Sequence, residues 1–239
     1  GIDVNRDARQ LATPEARVLK TVRDRLQPDF GFNLHDQGAR TRVGRAGEQA
    51  AIALLAPAAD AERSWGPSRT RARLIAAYLA DDFGNGVAGK IAKYDDTFNP
   101  RAFGDLMQTW GTSTVLIESG ALAGDPQKQQ LRTLNAASII GALDVIASKA
   151  YTSQDPDAYE SLPYNAGGAS DVIIRGGSIV MPGFGAVRAD VAMGADIDDR
   201  PASCIPHRPR SPPGATATGS GSGPRSSSPC AKGPTRRRA

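Results

Sequence analysis

The first 199 residues contain no cysteine and one histidine, His35. A body without thiols can build neither a disulfide framework nor a thiolate-bound metal site. Aromatic residues are sparse, at 5%, and no apolar run approaches the roughly 20 residues that cross a bilayer. Neither base-stacking platforms nor a membrane span is therefore expected. The body also lacks a basic excess. Through Asp199 it carries 21 Lys and Arg against 25 Asp and Glu, whereas the residues from Arg200 onward carry eight Lys and Arg and no acid. The formal net charge of +4 belongs wholly to the tail.

That tail, 200–239, is rich in Pro, Ser and Gly and holds both cysteines, Cys204 and Cys230, with His207. It contains no Leu, Val, Met or aromatic residue, so it cannot bury enough apolar surface to offset chain entropy. A disordered basic tail is the expectation. Its scattered charges without aromatics do not suit nucleic-acid binding, and a shifted reading frame of a GC-rich gene would give the same composition.

What remains is a body of alternating helical and strand patterns, the signature of an α/β fold. Thr13, Pro14 and Glu15 form a helix start, and the helix runs to Leu26. Phe30 to Leu34 reads as a strand, Ser68 to Leu79 as a second helix, and Asn99-Pro100 as the opening of a short third one. The β-branched run Thr112 to Ile117 reads as a buried central strand. Asp125 and Pro126 then cap a long helix whose apolar positions Leu131, Leu134, Ile139, Leu143 and Ile146 recur at helical spacing. Residues 151–170 read as a linker. Residues 171–199 read as a small β element, a hairpin with turns at Gly176-Gly177 and Pro182-Gly183. Its segment GGSIVMPGFG has neither dinucleotide-fingerprint spacing nor a P-loop lysine.

Open α/β sheets bind ligands beyond the carboxyl ends of their strands, and two residues fall there. His35 follows the first strand and Glu118 follows the central one. A lone histidine is commonly a hydrogen-bonded structural residue, but it can also ligate a metal. A glutamate directly after Val115, Leu116 and Ile117 is partly desolvated, which raises its pKa toward the range of a general base. An ion-paired glutamate at a strand end is the other reading.

The order of three segments, GIDVNRD, FGFNLHDQ and WGTSTVLIESG, resembles the carboxypeptidase A-like zinc metallopeptidases, in particular their bacterial members. The likeness covers 1–150. It implies an incomplete three-layer catalytic domain with a mixed central sheet, and hydrolysis of C-terminal peptide bonds. By that likeness Asn5 and Arg6 bind the terminal carboxylate of a peptide or peptide-like substrate. His35 would be the third zinc ligand, Glu118 the catalytic base, and Tyr94 the tyrosine that closes over the substrate. Side-chain specificity would be set between Tyr94 and Glu118, where Arg101, Phe103, Asp105 and Met107 offer both signs and apolar groups. Taken alone, Asn5-Arg6 also reads as a solvated polar loop and Tyr94 as an aromatic packed at a strand end. The family's first two zinc ligands form a His-x-x-Glu motif ahead of the Asn-Arg pair, and here only four residues precede Asn5. The expectation is thus the C-terminal part of the domain, inactive by itself. A noncatalytic relative that binds peptide C-termini without zinc is the alternative. The family also implies secretion or a periplasmic location. Residues 171–199 resemble the opening strands of amidohydrolases, although the metal-binding histidine pair does not follow.

Overall fold

A computed structural model describes residues 3–193 apart from 169, 171, 181 and 184. The expected disordered tail and the end of the 171–199 element lie outside the described residues. After a 3-10 turn at Val4–Arg6 the elements run α1 (Pro14–Leu26), β1 (Phe30–Asp36), β2 (Arg42–Val43), β3 (Ile52–Leu55) and α2 (Pro67–Val87). They continue as β4 (Ile91–Lys93), α3 (Phe103–Thr109), β5 (Ser113–Ser119), α4 (Gln129–Ala147), α5 (Asp157–Glu160), β6 (Asn165–Ala166), β7 (Val172–Ile179) and β8 (Val187–Met193). No helix among the described residues is long and apolar enough to cross a membrane.

The fold is α/β with a mixed four-stranded sheet in the order β1-β5-β3-β4. β5 lies parallel to β1 and antiparallel to β3, which is parallel to β4. All but the last residue of β5 are buried, as expected of a central strand. Val115 and Ile117 share one face with Ile52, Leu54 and Ile91, where they meet Ile75, Leu79 and Phe83 of α2 and Leu131 of α4 in one core. α3 covers part of the opposite face, tied to β5 by Gln108, whose side-chain amide bonds both the N–H and the C=O of Thr114. Ala16 of α1 packs on Phe103 of α3, so helices flank the sheet on both sides.

Local chemistry accounts for the helix ends. Thr13 Oγ1 accepts the Ala16 N–H at 3.2 Å, and Asp7 in turn takes the N–H groups of Ala12 and Thr13 and the Thr13 hydroxyl. Asp125, buried at 6% exposure, accepts the N–H groups of Gln129, Gln130 and Leu131 and so satisfies the orphan donors of α4. α3 begins later than Asn99-Pro100 suggested, at Phe103. Asn99 and Pro100 form the turn before it, with Asn99 Oδ1 accepting the Arg101 N–H.

Burial decides where the structure departs from expectation. α2 continues past Leu79 to Val87, through Gly84 and Gly86, because Phe83 and Val87 are buried in the core. The short strands β3 and β4 were not anticipated. The stretch 151–170, expected as a linker, instead holds α5 and β6. Tyr159 is 2% exposed and its hydroxyl accepts the Ala56 N–H, while β6 pairs with β2. The hairpin β7–β8 forms, but Gly176-Gly177 sits inside β7 as a bulge rather than at a turn, with Gly176 at φ +61°.

The two glycines of α2 separate propensity from packing. A Cβ at Gly84 would meet nothing within 4 Å, whereas one at Gly86 would come within 2.9 Å of Leu134 Cδ1. Gly84→Ala is therefore expected to stabilise the protein by about 0.8 to 1 kcal/mol, and Gly86→Ala by clearly less. Urea unfolding of the two variants compares them, and equal gains would mean that Leu134 yields without cost.

Candidate functional site

Parallel pairing brings the two strand-end candidates together. His35 and Glu118 are register partners. Because side chains alternate along a strand, both lie on the face opposite α2, with Asn33 and Leu116 before them. The strands run further than expected, to Asp36 and Ser119. His35 and Glu118 are thus the penultimate residues of β1 and β5 rather than residues that follow them. Pairing within a sheet supplies backbone partners beyond the apolar run, which the apolar run alone does not reveal.

Glu118 is 7% exposed and accepts no hydrogen bond or ion pair among the described residues. The ion-paired reading of this side chain is therefore not the observed one. Desolvation pushes its carboxyl above the usual value; nearby Asp36 adds to the rise and His35 opposes it. Asp36 is itself held by Lys128, whose ammonium reaches across from the start of α4.

The Asn5-Arg6 pair sits in the 3-10 turn, opened by Asp3, whose carboxylate accepts the Asn5 N–H at 2.9 Å. The turn is stitched to the start of α3. Asn5 Oδ1 accepts the Phe103 N–H at 3.1 Å, which supplies the helix with the cap that Ala102 lacks. Arg101 Nε donates to the Arg6 carbonyl and the Arg101 carbonyl accepts the Ala8 N–H. The Asn5 amide N–H groups make no hydrogen bond among the described residues. Arg6 is exposed, and one of its guanidinium nitrogens rests on the Asn5 carbonyl at 3.1 Å.

Tyr94 follows β4 and its N–H donates to the Leu54 carbonyl at 2.8 Å. Its ring packs on the small residues Ala53 and Ala92. The loop beyond it is folded by short polar contacts: Asp95 accepts from Thr97, and Asp105 Oδ1 accepts the Asn99 N–H at 2.9 Å. Burial raises the Asp105 carboxyl above its ordinary value, against the lowering effect of its backbone hydrogen bonds and of Arg6 and Arg69.

All five expected site residues, Asn5, Arg6, His35, Tyr94 and Glu118, line one cavity of about 200 Å³. Asp95, Asp105 and Asn33 line it too. Asn33 could have been read from period-two alternation, since it stands two residues before His35. Of the four residues considered for specificity, Asp105 alone lines this cavity. Phe103 and Met107 line a separate, mainly apolar cavity of about 250 Å³ beside α1, and Arg101 serves to hold Arg6.

The zinc that the family resemblance implies does not fit these donors. A catalytic zinc takes at least three protein ligands, and no three His, Cys, Asp or Glu side chains converge for a metal among the described residues. His35 therefore has no such partners here. No protein-family model, curated protein or solved structure matches the chain.

An unpartnered, desolvated carboxylate has a stability cost that depends on pH. With its folded pKa raised above the ordinary value of 4.5, Glu118 binds its proton more tightly in the native state. Stability is accordingly lost as pH climbs from 4.5 through the folded value. Glu118→Gln is expected to raise Tm at pH 7 and to raise it less at pH 4, read by thermal unfolding at both. An equal shift at both would place the carboxylate in water, and a loss at pH 7 would show that the charged form gains a favourable partner.

Proposed function

We propose that the cavity takes the C-terminal residue of a peptide or peptide-like molecule, in a domain of the zinc-carboxypeptidase type. The observation that carries this reading is the convergence of Asn5, Arg6, His35, Tyr94 and Glu118 on one small cavity, although they come from four separate segments. A guanidinium is charged at any working pH and matches a carboxylate bidentately, so Arg6 clamps the terminal carboxylate. The Asn5 amide donates beside it while its carbonyl stays on α3. Tyr94 offers a ring wall, and Glu118 is the group placed to accept a proton from water.

Hydrolysis of C-terminal peptide bonds is the activity of that domain type. The donor set described above falls short of a zinc site, which favours the second reading, a relative that binds peptide C-termini without zinc. The same reading puts the domain outside the cytoplasm, secreted or periplasmic. The amidohydrolase likeness of 171–199 carries no argument, because β7–β8 is a separate two-stranded sheet with no histidine in it.

Titration calorimetry with N-acetylated dipeptides tests the clamp. Free acids are expected to bind more tightly than the matching C-terminal amides, and Arg6→Ala to remove that preference. The loss should be about 1.5 to 3 kcal/mol, the contribution of a hydrogen bond to a charged group. Equal binding of acid and amide by the unmodified protein would overturn the reading.

A further inference from the structure

α1 carries an apolar stripe that no element among the described residues covers. Leu19, Val22 and Leu26 recur at helical spacing, yet they are 40%, 46% and 68% exposed, and Ala16 is the only fully buried residue of the helix. These three line the cavity of about 250 Å³ between α1, the first half of β1 and α3, together with Phe103 and Met107. Asn33 and Gly104 are the only lining residues that it shares with the cavity of Arg6 and Glu118. None of Asn5, Arg6, His35, Tyr94 and Glu118 lines it, so a ligand here is independent of the clamp.

An apolar cavity of this size has room for an organic ligand, since about 150 Å³ lined by Leu, Ile and Phe side chains is enough to take up benzene. The charge in the lining selects the class. Arg23 is the only charged residue among the lining residues. Two of its nitrogens are committed, Nε to the Thr112 hydroxyl at 3.3 Å and Nη2 to the Trp110 carbonyl, which ties the end of α1 to the segment that opens β5. The third, Nη1, meets Asp24 at 3.4 Å, and Asp24 gives its other oxygen to Lys20 at 2.5 Å. One acid between two cations leaves a positive excess beside the cavity. A neutral ligand would leave that excess as it is, whereas a carboxylate gains a charge-assisted hydrogen bond from it.

We infer that this cavity binds a small monoanion with an apolar body, of the medium-chain carboxylate class, its chain against Leu19, Val22 and Met107 and its carboxylate on Arg23 Nη1. Gly31 offers a way to block such a ligand without touching Arg23. It belongs to the lining, and a Cβ there would meet Thr112 Cγ2 at 3.5 Å and Thr114 Oγ1 at 3.7 Å, which is ordinary contact. Gly31→Val therefore narrows the cavity from a position with room for a side chain, and a β-branched residue suits a strand.

Calorimetric titration with butyrate, octanoate and octan-1-ol makes the test. Octanoate is expected to saturate one site per chain and to bind at least about tenfold more tightly than octan-1-ol. It should exceed butyrate by about fourfold for each further methylene that the walls bury. Arg23→Gln should bring octanoate down to the level of octan-1-ol and leave octan-1-ol unchanged. Should that variant fail to fold, the comparison of the two ligands on the unmodified protein still decides the charge. Gly31→Val should weaken both eight-carbon ligands by at least about tenfold. Equal affinity for octanoate and octan-1-ol overturns the anionic assignment, as does the failure of octanoate to saturate a single site. Undiminished binding to folded Gly31→Val places the ligand elsewhere and overturns it too. A dimer in sedimentation that Gly31→Val dissociates would show that a second copy covers the stripe, which overturns the small-ligand reading.

Discussion

The parallel pairing of β1 with β5 is the constraint on which the site depends. Register sets every side chain's face, and a slip of one residue would send His35 and Glu118 to opposite sides of the sheet. Two kinds of contact resist such a slip. On one face Phe32 and Val115 pack toward the α2 core. On the other, Gln108, 1% exposed, grips both backbone groups of Thr114, which no neighbour in β5 could offer in the same direction. The dry face thus fixes the register, and the polar face inherits its geometry from it.

The remaining parts of the cavity are hung on that sheet by backbone capping rather than by long side-chain ion pairs. Asn5 caps α3 across a large sequence distance, and Arg101 returns a bond to Arg6. Moving the start of α3 would therefore move the clamp. Asp105, in the first turn of α3, holds the loop that follows β4 through Asn99. Arg69 secures the other side: 2% exposed, it bonds the Ala56 carbonyl and Asp96 together. One short helix consequently couples the clamp, the loop and the wall.

Elements with their own local chemistry were legible in the sequence. Thr13-Pro14-Glu15 and Asp125 mark helix starts through side chains that satisfy neighbouring N–H groups, and the structure makes those bonds. β3 was not legible. Ile52–Leu55 is buried at every position, and a short, uniformly apolar run has no periodicity to separate strand from helix. The extension of α2 was hidden for the opposite reason: Gly84 and Gly86 argue locally for a stop, and only the packing of Phe83 and Val87 outweighs them. In the site, residue type and order singled out five residues that do share a cavity. The sequence could not reveal that the Asn5 side chain caps a helix while lining the cavity, or that Asp105 turns inward while Phe103 and Met107 turn to another cavity. Those outcomes depend on where α3 sits.

The two faces of the sheet also explain where Glu118 stands. Ile52, Val115 and Ile117, all at or below 1% exposure, fill one side completely, so Glu118 is turned to the other side, where it lines the cavity with Arg6 and His35. Asp96 shows that the fold can neutralise an acid in this region when stability is served, for it holds two arginines. Arg69 reaches Asp96 from α2 at the edge of the loop, and that route stops short of Asp95 and Asp105. Glu118 from β5 thus meets Asp95 of the loop after β4 and Asp105 of α3 around one cavity.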